Sequence, residues 1–385
     1  MVERFITDQV RKKLGKGRVI VLYGPRRIGK TTIARQLLKE VKPGDGLYLN
    51  CDELPIQQAL ESRSLQALNR TIGNAKRIVI DEAQRVSDIG VTLKLLIDSN
   101  PDLDIIATGS SSFELSNKVK EPLTGRSYEF VLEPLSLREL QRHFEYSPLD
   151  IAVAYERLMR FGGYPGIVLA NDIEAAEEIS LIAERYVYKD TLELVELRQR
   201  QLLPRLLTTL SLQIGQEVSY HEIGNLLGVK LETIERYITI LESAFIIYRL
   251  PALTANKRGQ ISNRKRKVYF YDLGVRNALI ENLNPLDLRD DSAGLWENFC
   301  MNERRKTLAE RGESSKSYYW RGLYGEVDLV EQQPSSTRAF EFRLIDKPVR
   351  LPKTFQETYP EAVFQVIHKD NLADWLVFGD HASRA

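Results

Sequence analysis

Cysteine is scarce: Cys51 and Cys300 are the only two in 385 residues, far apart and without a Cys-x-x-Cys pair. That excludes a disulfide framework and a cysteine-built metal knuckle, and it fits a reducing compartment. Histidine is no richer, and His143, His221, His368 and His381 fall in no ligand-like cluster, so no zinc is expected. No run approaches the ~20 apolar residues a membrane span needs, and no membrane partner is expected. The opening MVERFITDQVRKKL is charged and amphipathic without an apolar signal region, so the chain reads as cytoplasmic. Nor does one charge dominate. With a formal net charge of +1, any nucleic acid must be met by local patches and not by a basic coat.

What is present is ordinary for a folded protein, 43% hydrophobic and 28% charged residues in a length that predicts two or three domains. A helix is expected before Gly15, with Phe5, Ile6, Val10 and Leu14 at helical spacing. The informative stretch follows it. Arg18 to Tyr23 reads as a strand, Thr31 to Glu40 as a helix, and between them stand Gly24, Pro25, Arg26, Arg27, Ile28, Gly29, Lys30 and Thr31, followed by Thr32. This is the G-x-x-x-x-G-K-[ST] spacing of a P-loop. Glycines let the chain turn tightly enough for successive N–H groups and a helix N-terminus to converge on phosphate oxygens. Gly24 to Thr32 are therefore the expected nucleotide-binding residues, with Lys30 neutralising the β- and γ-phosphates of ATP and the Thr31 hydroxyl on Mg²⁺.

Gly46 to Cys51 is predicted as a second strand and Ile56 to Ile72 as helical. Then Arg77-Ile-Val-Ile-Asp-Glu82 ends a β-branched strand in two carboxylates. Behind a P-loop, the first of such a pair orients the Mg²⁺ shell and the second polarises the water that attacks the γ-phosphate. Asp81 is assigned to the metal and Glu82 to the water. The next strand, Leu103 to Ser112, brings hydroxyls to the carboxyl edge of the sheet, where doubly wound folds bind ligands. Ser110 is the expected γ-phosphate sensor, with Thr108 as the alternative and a serine-rich turn that caps the following helix as the competing reading. Arg126, in Leu123-Thr-Gly-Arg126 before the strand Tyr128 to Leu132, either stabilises transition-state charge in its own or a neighbouring subunit's site or forms a surface salt bridge.

GPRRIGKTT, VIDEAQ, ATGSSS, LTGR, EPLSLREL and the later FGGYPG together resemble the bacterial and archaeal AAA-type ATPases that carry a C-terminal restriction-endonuclease-like domain of unknown function, in the archaeal-ATPase branch near the STAND group. The resemblance implies a role for Arg126 at the nucleotide and makes the helical stretch after residue 136 a lid. It also implies subunits that meet at the nucleotide, hence a homo-oligomer, with a ring as one form. In FGGYPG, Gly162, Gly163 and Gly166 flank Tyr164-Pro165, a composition suited to a rigid turn or a hinge between the lid and the next domain. Residues 173–198 read as a long charged connecting helix.

From residue 202 the pattern is three helices and then strands. SYHEIGNLLGVKLETIERYITILESAFII resembles a winged helix-turn-helix, with Lys230, Thr233, Arg236 and Tyr237 as exposed candidates for the major groove. Winged helices also serve as protein-binding modules, and Glu232, Glu235 and Glu242 would repel phosphate. Lys257, Arg258, Arg264, Lys265, Arg266 and Lys267 then put six cations into eleven residues with no acid among them, where a wing would lie. Such a loop neutralises phosphates with a strong salt dependence, which makes DNA the main partner expected.

The last part resembles the PD-(D/E)xK nuclease fold: Glu297 on an early helix, Asp328 on one strand, and Glu341 on the next. Asp328 and Glu341 are the expected metal ligands of that resemblance. Its lysine position holds Arg343, which keeps its charge and cannot share a proton with attacking water. A degenerate nuclease fold is therefore preferred to an active one.

The resulting expectation is an α/β chain with a P-loop AAA-type ATPase core (1–135), a helical lid and connector (136–200), a winged helix-turn-helix (201–271) and a nuclease-like α/β domain (272–385). It would hydrolyse ATP with Mg²⁺ and act on or near DNA. An ATP-gated nuclease, a STAND-like signalling ATPase that binds proteins, and a transcriptional regulator remain the alternatives.

Overall fold

The computed structural model describes residues 2–109, 123–187, 201–254 and 266–378. The chain forms two compact units, one of Glu3–Glu133 with Ser243–Phe245, the other of Pro134–Glu242 and Ile246–Ala385.

In the first unit, helix α1 (Phe5–Arg11) precedes a five-stranded parallel sheet of order β2-β3-β4-β1-β5, made by β1 (Val19–Tyr23), β2 (Gly46–Asn50), β3 (Arg77–Asp81), β4 (Asp104–Gly109) and β5 (Ser127–Val131). The sequence of β1, VIVLY, is apolar throughout and every residue of it is buried, as a central parallel strand covered on both faces requires. The edge strands β2 and β5 are largely half-exposed. Helix α2 (Lys30–Leu38) buries Ile33, Ala34 and Leu37 at helical spacing. The single helix expected over Ile56 to Ile72 is two, α3 (Leu54–Glu61) and α4 (Leu65–Ile72). Arg63 between them has a left-handed φ of 49°, and the Ser64 hydroxyl accepts from the Ala67 N–H to start the second. Helix α5 (Ile89–Ser99) leads to β4.

The second unit opens with α6 (Leu137–Phe144) and α7 (Pro148–Phe161), each started by a capping box, Ser136 with Glu139 and Ser147 with Asp150. After α8 (Pro165–Val168) and α9 (Asp172–Ile182), the described chain resumes at α10 (Leu202–Leu212), β6 (Glu217–Val218), α11 (Tyr220–Leu227), α12 (Leu231–Ser243), β7 (Ile247–Pro251) and β8 (Arg266–Phe270). Beyond Ile182 most of the expected connecting helix lies outside the described residues. Strands β6, β8 and β7 form an antiparallel sheet in that order. Helix α13 (Leu273–Leu279) and the 20-residue α14 (Ser292–Arg311) come next. They lead to β9 (Lys316–Gly322), β10 (Gly325–Gln333), β11 (Ser336–Phe342), α15 (Lys353–Thr358) and β12 (Val363–Ile367), whose sheet has the order β12-β11-β10-β9.

Helix α14 holds this unit together with polar side chains. Glu303 accepts the Leu137 N–H at 2.8 Å, and Lys306 Nζ donates to the Leu135 carbonyl at 3.1 Å and to Glu303 at 2.8 Å. Asn298 exchanges two hydrogen bonds with the Phe270 backbone, accepting at 2.8 Å and donating at 3.0 Å. The FGGYPG turn is no free hinge: Asp272 Oδ2 accepts the Gly163 N–H at 2.8 Å, and Asp272 Oδ1 caps α13 by accepting from Val275 at 3.0 Å. A turn whose N–H is held by a buried carboxylate cannot swing without stranding that charge.

Glu310 makes one consequence measurable. Burial pushes its carboxyl up to about 7, against the opposing pull of Arg138, although Ser136 Oγ and Arg138 both donate to it at 2.9 Å. A carboxyl raised above its ordinary 4.5 stabilises the fold most below that value, and this contribution is lost as pH rises through about 7. Raising pH across that window is therefore expected to lower stability by at most about 1.4 kcal/mol per pH unit from this group. Glu310→Gln, which keeps one acceptor oxygen for Arg138, turns its amide N–H toward Ser136 Oγ and never ionises, is expected to flatten that part of a plot of melting temperature against pH.

Candidate functional site

At the carboxyl edge of the parallel sheet the P-loop motif takes the shape its spacing predicts. Gly24 has φ 145°, and a Cβ there would stand 2.3 Å from the Leu132 carbonyl, so only glycine lets the loop leave β1 so close to the chain after β5. Gly29, with φ 104°, precedes the first turn of α2, and no heavy atom lies within 4 Å of where its Cβ would be. That leaves an open cradle in front of the helix N-terminus. Lys30 is buried, its Nζ donating to the carbonyls of Gly24 at 2.8 Å and Pro25 at 2.7 Å. Arg4, just before α1, supports the loop from behind by donating to Ile28 O at 3.2 Å and Glu133 O at 2.6 Å.

Three hydroxyls converge on Asp81 at the end of β3. Thr31 Oγ1 donates at 2.9 Å to Oδ2, Thr108 Oγ1 donates to Oδ1, and Tyr48 Oη donates to Oδ2. Strand β4 lies between β3 and β1, which is why Thr108 can bridge the two motifs. Burial, with the hydrogen bond to Asp81, pushes the Tyr48 phenol up to about 12, so it stays a donor. The Thr31 hydroxyl and the Asp81 carboxylate lie in contact beside the cradle, the donor pair that a nucleotide-bound Mg²⁺ requires.

Glu82 follows with a left-handed backbone, φ 53°, rare for a residue with a side chain and common where a site imposes it. Its N–H donates to Thr108 Oγ1 at 3.2 Å, and the Gln84 amide donates to its carboxylate. Sequence reasoning does not single out Tyr48, Gln84 or Arg4. Of the sensor candidates Thr108 is at the site, while Ser110 lies outside the described residues.

Arg126 is elsewhere. Its carbonyl accepts the Val19 N–H at 2.8 Å, and Val19 pairs with Ser127, which places it at the amino end of β1 and β5. The P-loop leaves the other end of β1, five residues or about 16 Å away at a strand's rise. Arg126 therefore does not reach the nucleotide site of its own chain. Its guanidinium, 42% exposed, pairs with Asp98 at 2.7 Å.

In the second unit, the cations proposed for DNA separate into four groups. Lys257, Arg258, Arg264 and Lys265 lie outside the described residues. Lys230 and Arg236 are exposed beside and on α12, whereas Tyr237, expected on the same face, is 2% exposed and packs inward. Arg266 begins β8 half-buried. Lys267 is not available to phosphate: its side chain is 1% exposed, and Nζ lies 2.8 Å from Glu297 Oε1 and 3.4 Å from Asp328 Oδ1 and is paired with Glu326. Strand alternation explains this, since Lys267 and Tyr269 share one face of β8, and Tyr269 Oη also donates to Glu297, at 2.6 Å.

Glu297, Asp328 and Glu341, the residues of the expected nuclease-like centre, lie close together. The register Leu329↔Phe340 sets Asp328 of β10 beside Glu341 of β11, and Asp328 Oδ2 accepts the Phe342 N–H at 2.9 Å. Burial, reinforced by the charge on Asp328, pushes the Glu297 and Glu341 carboxyls above the usual carboxylate range, against the pull of Lys267 on Glu297 and of Arg343 on Glu341. Burial works against the Lys267 charge, but Glu297, Asp328 and Glu326 outweigh it and hold its pKa above that of a free lysine. Glu341 is paired with Arg343. Among the described residues, no group of three or more His, Cys, Asp or Glu side chains is placed to hold a metal ion.

Residues 16–141 match the family described as AAA domain, and residues 153–287 match a domain of unknown function (DUF8612). No curated protein matches the chain. Among solved structures it is similar to "Structure of Drosophila ORC bound to DNA" at 13% identity over 71% of this chain and 93% of that one, with a TM-score of 0.27, too low to carry an argument. The AAA match, together with the parallel sheet, makes the N-terminal part an AAA-type ATPase domain, which implies nucleotide binding. Among the described residues, no helix is long and apolar enough to cross a membrane.

Proposed function

We propose that the chain is a Mg²⁺-dependent ATP-hydrolysing protein that acts on or next to DNA, with its nuclease-like domain serving as a scaffold. The observation that carries the ATPase half is the convergence of Lys30, Thr31, Asp81, Glu82 and Thr108 at one sheet edge within the AAA match. Thr31 and Asp81 would hold Mg²⁺, which supplies positive charge to the phosphate oxygens. Lys30 exchanges its loop carbonyls for β- and γ-phosphate oxygens. Glu82, steadied by Gln84, orients and polarises the attacking water, and Thr108 links it to Asp81. Ser110 is kept as the γ-phosphate sensor. Arg126 acts, if at the nucleotide, only from a neighbouring subunit, which makes a homo-oligomer part of the proposal.

The order α10, β6, α11, α12, β7, β8 supports a winged helix, and α14 with β9 to β12 supports the nuclease-like reading. Exposed Lys230 and Arg236 are matched by exposed Glu232 and Glu235, so this surface offers phosphate no net positive charge. DNA affinity is therefore assigned chiefly to Lys257, Arg258, Arg264 and Lys265. The test is the salt dependence of duplex and forked DNA binding, read by anisotropy. Replacing those four cations by alanine is expected to lower the slope of log K against log salt by up to about 3.6. An unchanged slope favours the second reading, a protein-binding module, for which the same glutamates and Leu226, 65% exposed on α11, provide the surface.

A further inference from the structure

We infer that the Lys267 ammonium occupies the place where a metal-dependent nuclease would hold its divalent cation, so that the carboxylates of the C-terminal sheet anchor strand β8 and do not bind metal. The inference rests on the nuclease-like reading of that sheet and goes beyond it by naming what fills the centre.

The donor set is already spent on protein. Glu297 Oε1 accepts from Lys267 Nζ at 2.8 Å and from Tyr269 Oη at 2.6 Å. Asp328 accepts from Lys267 on one oxygen, at 3.4 Å, and from the Phe342 N–H on the other. Glu326 completes the ion cluster around Nζ, and Glu341 pairs with Arg343. Mg²⁺ demands six oxygens at ~2.0–2.1 Å in near-octahedral order and keeps most of its water. An ammonium instead wants a few acceptors at hydrogen-bond distance, which is what Lys267 has. A lysine and a divalent cation in one carboxylate cage would also repel each other at close range. The E-x-K position supplies its cation from the rim, because Arg343, with a side chain 51% exposed, pairs with Glu341. The lysine thus reaches the centre from β8, ahead of the domain in sequence, and joins the three-stranded sheet to α14 and β10.

The centre is not sealed. Glu326, at the edge of the cluster, lines an open pocket of about 920 Å³ with Glu217 and Arg321, and the Glu297 and Asp328 side chains keep 13% and 10% exposure. The experiment is Mn²⁺ binding to the nucleotide-free full chain, followed by the loss of the free-ion EPR signal, in the parent, Lys267→Met, Asp328→Asn and the double variant. The parent and Asp328→Asn are expected to bind the same amount of Mn²⁺. Lys267→Met is expected to gain one ion per chain, and the double variant to lose it again. Mn²⁺ bound by the parent and lost in Asp328→Asn overturns the inference, as does a folded Lys267→Met that gains nothing. Should Lys267→Met not fold, the parent and Asp328→Asn pair still decides. Failure of the nuclease-like reading itself in favour of an active enzyme has a separate signature, Mn²⁺-dependent DNA cleavage by the parent. Failure of the DNA assignment shows in the anisotropy slopes and leaves the Mn²⁺ count untouched.

Discussion

Glu82→Gln is expected to bind ATP with unchanged affinity and to release phosphate about 10²–10⁴-fold more slowly than the parent. Glutamine keeps the size of the side chain and an oxygen to accept from the Gln84 amide, and the left-handed turn at φ 53° that places residue 82 does not depend on the carboxylate. What is lost is the anionic oxygen that polarises the attacking water. Lys30→Ala should behave differently, since it removes the cation held over the loop by Gly24 and Pro25 and with it much of the binding itself. Calorimetric ATP binding alongside steady-state phosphate release separates the two. Normal turnover in Glu82→Gln would move water activation to another group.

The largest effect on stability is expected at Arg304. Its Nε and Nη2 donate to the two oxygens of Glu331 at 2.8 and 2.7 Å, and the two side chains are 4% and 1% exposed. The guanidinium also lies 5.3 Å from the centre of the Phe340 ring. A bidentate pair at this depth ties α14 to β10, and replacing Arg304 by methionine strips the buried Glu331 carboxylate of both guanidinium donors. Removing one member of such a pair costs about 3–5 kcal/mol, a large part of the ~5–15 kcal/mol that stabilises a domain. Denaturant unfolding of Arg304→Met should show this loss, and adding Glu331→Leu should recover much of it, because the stranded charge is then gone. A loss below about 1 kcal/mol in the single variant would mean that water reaches Glu331.

The site is legible in the sequence where chemistry is written in consecutive residues. GPRRIGKTT and VIDE carry their own local geometry, so Lys30, Thr31, Asp81 and Glu82 can be placed without knowing the sheet. Tyr48 and Thr108 reach Asp81 only because β2 and β4 flank β3, and strand order is not a local property. The exposure expected of Tyr237 is wrong, and helical spacing carries the correction, since it lies three residues from Ile234 and four from Leu241 on the buried face. Lys267 ends a run of cations that reads as one solvated loop. The strand begins at Arg266, and from there alternation turns Lys267 inward. The polar residues of α14 are opaque for a related reason. Glu303, Lys306 and Glu310 look like a solvated helix face until α6 and the chain before it bring the groups that satisfy them.

The ATPase rate of the purified chain, measured with and without single-stranded, duplex and forked DNA at low and moderate salt, tests the central claim most directly. The account predicts hydrolysis that is lost in Glu82→Gln and is stimulated by at least one of these DNAs, with the stimulation fading as salt screens the basic segment. Hydrolysis indifferent to every DNA at low salt would contradict it.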